Sequence, residues 1–111
     1  MGVAAILAGP AYAQTIPGPS ANRQLFIHDK AGATVERLSP HGDHYDVFDL
    51  KHQYEAVGFA KMLGQRLIIY DFHNNIVATA QAELLPPDSD LKDITFVRDR
   101  RGRPIGTLAR Y

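Results

Sequence analysis

The chain has 111 residues, with 12 Lys+Arg against 12 Asp+Glu, 45% hydrophobic residues and no cysteine. That length and composition suit one soluble domain with one modest core. The balanced charge argues against a chain built to coat nucleic acid, and the missing cysteines exclude a disulfide framework, a thiolate metal site and a cysteine nucleophile.

The first residues read as an address. Gly2 to Gly9 is an apolar run, and Pro10-Ala11-Tyr12-Ala13 before Gln14-Thr15 has the small-x-small form that signal peptidase cuts after Ala13. The basic n-region is missing, so residues 1–13 read as a truncated signal-peptide-like segment; the alternative is an apolar N-terminal strand. The run is shorter than the roughly 20 apolar residues of a membrane span. Residues 14–22 follow as an extended linker stiffened by Pro17 and Pro19, and residues 23–111 form a single β domain.

Within that domain one unit recurs. Asp29-Lys30-Ala31-Gly32-Ala33-Thr34-Val35, Asp71-Phe72-His73-Asn74-Asn75-Ile76-Val77 and Asp99-Arg100-Arg101-Gly102-Arg103-Pro104-Ile105 share the form Asp-x-x-Gly/Asn-x-x-Val/Ile. Asp first and Gly or Asn fourth predict a type I turn closed by a left-handed residue, hence a β-hairpin. A fourth block, Asp43 to Gln65, has a longer turn after Asp49 and lacks the Gly. Four sequential hairpins give about eight strands, and the simplest architectures are a small meander barrel or a two-layer sandwich. A helix over Tyr54 to Leu63 is opposed by Gly58 and Gly64.

Turn geometry also predicts register. Counting from each Asp, the expected facing pairs are Ile27 with Val35, Val47 with Val57, Ile69 with Val77, and Val97 with Ile105, all β-branched. The next pairs would be Leu25 with Arg37, Tyr45 with Phe59, Leu67 with Thr79 and Thr95 with Thr107, a core that narrows away from the turns. The other face is mixed, and Phe26, Phe48, Tyr70 and Phe96 on it form a candidate docking face for a protein partner or a second copy.

Two polar groupings carry candidate chemistry. His41-Gly42-Asp43-His44-Tyr45-Asp46 puts two imidazoles beside two carboxylates, with His44 and Asp46 two apart on one strand face. Imidazole with carboxylate suits Zn or Cu, which makes His41, Asp43, His44 and Asp46 the candidate ligands. Arg98, Arg100, Arg101 and Arg103 decorate the last hairpin, where guanidinium groups suit an anionic envelope component such as lipid or glycan. The turn aspartates are explained by hydrogen bonds to their own turns. Catalysis finds no constellation: Ser20, Ser39 and Ser89 lie outside any nucleophile elbow, and Glu36, Glu55 and Glu83 are scattered.

Val97-Arg98-Asp99-Arg100-Arg101-Gly102-Arg103-Pro104-Ile105-Gly106 resembles the opening hairpin of PRC-barrel domains, and the fourfold pattern is similar to the hairpins of tubby-like and LURP-type barrels. The likeness spans about ten residues per unit, rests on turn chemistry, and carries no function across. The sequence therefore points to a small exported, non-enzymatic binding module of the bacterial cell envelope, periplasmic or secreted. The alternatives are a periplasmic Zn or Cu binder using the His/Asp cluster, and a structural protein that meets anionic lipid or glycan. No nucleic-acid partner and no transmembrane segment are expected.

Overall fold

The computed structural model describes residues 11–12, 16–81, 84–85 and 95–109. In chain order its elements are β1 (Ala11–Tyr12), a 3₁₀ turn at Pro19–Ala21, β2 (Leu25–Asp29), β3 (Thr34–His41), β4 (His44–Asp49), β5 (Gly58–Leu63), β6 (Arg66–Asp71), β7 (Ile76–Gln81), β8 (Leu84–Leu85), β9 (Thr95–Asp99) and β10 (Pro104–Ala109). Eight strands in the order β10-β2-β3-β4-β5-β6-β7-β9 close into a barrel, while β1 and β8 pair as a separate short ladder. The chain is all-β, a meander of four hairpins, and the barrel is the architecture formed. Closure removes both sheet edges. The signal-like segment lies outside the described residues except for Ala11 and Tyr12. No described helix is long and apolar enough to cross a membrane.

Four aspartates organise one end of the barrel. In the first hairpin Asp29 Oδ1 accepts hydrogen bonds from the amides of Ala31 at 2.9 Å and Ala33 at 3.0 Å. Asp71 accepts from His73 at 2.8 Å and Asn75 at 3.0 Å, and Asp99 from Arg101 at 2.9 Å and Arg103 at 3.0 Å. The fourth residue of each turn is left-handed, with φ +87° at Gly32, +65° at Asn74 and +83° at Gly102, as the motif predicts. Asp49 closes its longer turn differently, accepting from the amides of Lys51 at 3.0 Å and His52 at 2.7 Å.

The register differs from the expected one by a single residue. In three hairpins the ladder shifts just past the turn, leaving Val35, Val77 and Ile105 as extra, bulged residues. Ile27 therefore faces Glu36 rather than Val35, Ile69 faces Ala78 rather than Val77, and Val97 faces Gly106 rather than Ile105. In the second hairpin Val47 likewise faces Gly58 rather than Val57. Because side chains alternate, a slip of one residue exchanges the two faces of every returning strand. The next pairs become Leu25 with Leu38, Tyr45 with Ala60, Leu67 with Ala80 and Thr95 with Leu108, all buried. The core does not narrow away from the turns.

An eight-stranded barrel has an interior just wide enough for side chains to fill. Outgoing strands supply large residues, such as Leu25, Tyr45, Leu67 and Val97, and returning strands supply small ones, such as Ala60, Ala78 and Ala80. The tightest points are glycines: a Cβ on Gly58 would lie 2.2 Å from the Tyr70 carbonyl oxygen, and one on Gly106 2.0 Å from that of His28. Glu36 occupies the corresponding place in the first hairpin, where burial, and secondarily Asp49 opposite it, push its carboxyl above the usual range.

The end remote from the aspartate turns is stoppered by the chain itself. Ile16 belongs to the core cluster, its amide donates to Gln65 Oε1 at 3.1 Å, and the Tyr45 hydroxyl donates to the Pro17 carbonyl. Part of the segment expected as a linker thus packs on the barrel.

Candidate metal centre

The tight turn between β3 and β4 builds the site. His41 and His44 are directly paired across the ladder, joined only by Gly42 and Asp43. Gly42 has φ +66° while Asp43 is not left-handed, which is the pattern of a type II′ hairpin turn with glycine in its first central position. Opposed residues in an antiparallel pair project to the same face, and Asp46 lies two residues beyond His44, so all three side chains stand together outside the barrel.

Their polar atoms converge. His41 Nδ1 lies 2.9 Å from Asp46 Oδ2, and His44 Nε2 lies 3.3 Å from Asp46 Oδ1. One ligand atom from each of the three residues can be chosen so that all lie within 4.8 Å of one another. Tetrahedral zinc with bonds of about 2.0–2.1 Å places neighbouring donors about 3.3–3.4 Å apart, a spacing to which the three side chains would have to close around an ion. Two nitrogens and a carboxylate oxygen also suit Cu(II).

Asp43 plays a different part from the other three. Its Oδ1 lies 3.1 Å from His44 Nδ1, the ring nitrogen facing away from Asp46. A carboxylate accepting the Nδ1 proton leaves Nε2 with the lone pair and fixes the ring plane, the arrangement that orients metal-bound histidines. The same hydrogen bond holds the Asp43 carboxyl below the usual range, with the Lys61 ammonium adding a smaller effect. His44 and Asp46 side chains are 29% and 30% exposed, while His41 is 70% exposed. The pair on β4 is thus held by its surroundings and His41 sits at the rim.

The other sequence candidates are not gathered in this way. Phe26, Phe48, Tyr70 and Phe96 are half-buried on the outside of the barrel, on β2, β4, β6 and β9. In the closed strand order β2 is opposite β6 and β4 opposite β9, so the four stand at quarter positions around the barrel. Phe26 and Phe48 flank Arg37, whose guanidinium lies 4.3 Å from the Phe48 ring centroid. Tyr70 stacks on Phe59 at 5.1 Å. On the last hairpin Arg98 donates to the Gly102 carbonyl at 3.3 Å and Arg103 lies 3.5 Å from Asp99, while Arg100 and Arg101 are exposed.

Beside the histidine hairpin runs a cleft lined by Asp43, His44, Asp46, Phe59, Lys61 and Phe72. Phe59, Lys61 and Phe72 are absent from the sequence-derived site, because the expected register turned Phe59 inward against Tyr45. In the structure Phe59 faces Asp46 on the outer surface. A signal was present: if Phe59 pointed inward, Lys61 two residues later would also enter the core.

No family model, no curated protein and no solved structure matches this chain.

Proposed function

We propose that this chain is a small, exported, non-enzymatic binding module of the bacterial cell envelope, and that its ligand is a divalent transition metal, Zn or Cu, held by His41, His44 and Asp46. The observation that carries the reading is the convergence of two imidazoles on one carboxylate, with Asp43 orienting the His44 ring. The charge and small size of the site suit capture of an ion.

Calorimetric titration of the full chain with zinc and with Cu(II) tests it. One ion per chain is expected, with binding lost in His41→Ala/His44→Ala; binding unchanged in that double variant overturns the reading. Export rests on the small-x-small sequence at Ala11-Tyr12-Ala13. Cleavage there removes β1 and leaves Ile16 and all eight barrel strands in place. Cell fractionation with N-terminal sequencing is expected to find the chain in the periplasm beginning at Gln14, and a chain that stays in the cytoplasm with its first 13 residues kept overturns export.

A further inference from the structure

The cleft beside the histidine hairpin is built for more than the ion. Three protein ligands leave a tetrahedral metal one open position. His44 and Asp46 both hold the proposed ion and line the cleft, so the ion would border it. At about 290 Å³ the cleft is just below the range of about 300–1,000 Å³ usual for drug-sized ligands, which leaves room for a small molecule.

Its walls state the chemistry of that molecule. Asp46, Phe59 and Tyr70 form one row across β4, β5 and β6. Tyr70 stacks on Phe59, and Phe72 tilts against the same ring with centroids 6.4 Å apart. Phe72 is 61% exposed, a large apolar surface that the fold does not use. Lys61 holds its ammonium 5.5 Å from the Phe59 ring centroid. A flat apolar body against the rings, with an anionic head between the ammonium and the ion, satisfies all of these groups.

Charge makes the binding conditional. Without metal the lining sets the two carboxylates of Asp43 and Asp46 against the one ammonium of Lys61, which disfavours an anion. A divalent ion reverses the sign. We therefore propose, resting on the metal reading above, that the loaded site is a receptor for a small aromatic carboxylate, whose carboxylate oxygen takes the open metal position while its ring lies against Phe59 and Phe72.

Benzoate titrated into the full chain, followed by calorimetry with and without zinc, tests this, with acetate as the carboxylate lacking a ring. Benzoate is expected to bind only the zinc-loaded protein and more tightly than acetate. Lys61→Ala and Phe72→Ala should each weaken benzoate about tenfold while zinc still binds. Zinc uptake without benzoate binding overturns this inference and leaves the metal reading standing. Failure of zinc to bind overturns both. Equal benzoate binding with and without zinc, or no loss in either variant, also overturns the proposed receptor.

Discussion

The two ends of the barrel use the same residue types to opposite purposes. At one end Asp49 and His52 lie 2.9 Å apart, and at the other His41 and Asp46 lie 2.9 Å apart. Distance alone does not separate them. Asp49 Oδ1 is also occupied by the amides of Lys51 and His52, so its pairing is one part of a turn that closes on itself. The Asp46 carboxylate instead faces two imidazoles, one at each oxygen, and the His44 ring is steered from behind by Asp43. A carboxylate that completes its own backbone turn is structural, and one on which two imidazoles converge is a candidate site.

That contrast can be broken from the structural side first. Gly106 faces Asp29 at the aspartate end, and Gly106→Ala should cost about 3 kcal/mol of stability, because a Cβ has only backbone to displace there. Chemical denaturation of the variant measures it, and a neutral result would show that the close approach is not maintained. Asp29→Ala removes two hydrogen bonds to its turn and should cost about 1 kcal/mol in the same assay. For Asp71 and Asp99 the turn amides hold the carboxyls below the usual range. Their folded values lie under the unfolded ones, so their contribution is present at neutral pH and is lost as pH falls below about 4 and through the lowered values. Asp71→Asn/Asp99→Asn should accordingly flatten the acid limb of stability against pH. The smallest effect belongs to the other end: in metal-free protein His41→Ala/His44→Ala should change stability by no more than about 0.5 kcal/mol. A loss as large as that of Asp29→Ala would place the histidines among the structural turns and erase the contrast.

How far the sequence could be read follows from the same chemistry. The turns were legible because Asp, Gly and Asn act within five residues of one another. The outgoing strands were legible too, with Leu25, Ile27, Leu67, Ile69 and Val97 all inside as their alternation predicts. The returning strands were not, because Val35, Val77 and Ile105 are β-branched and apolar yet are bulged out of the ladder. Leu38 and Leu108 apart, their inward residues include Gly58, Ala60, Ala78, Ala80 and Gly106, which carry little hydrophobic signal because they oppose large side chains of the outgoing strands or lie close to neighbouring backbone. The histidine cluster survived this error because a two-residue turn leaves no room for a slip. Phe59, Lys61 and Phe72 did not, since Phe59 and Lys61 lie on a returning strand and Phe72 sits beyond the next turn.

The ladder between β10 and β2 joins Leu108 to Ile27 and Ala109 to Phe26, residues roughly eighty apart along the chain, whereas the ladders within each hairpin join residues about six to fifteen apart. Loop-closure entropy makes that seam the slowest pairing to find. Each hairpin can form from local contacts, but none can bury its inner face until the ring is complete. Folding of this chain should then have a diffuse collection of hairpins on the way up and one rate-setting event, the meeting of its first and last barrel strands.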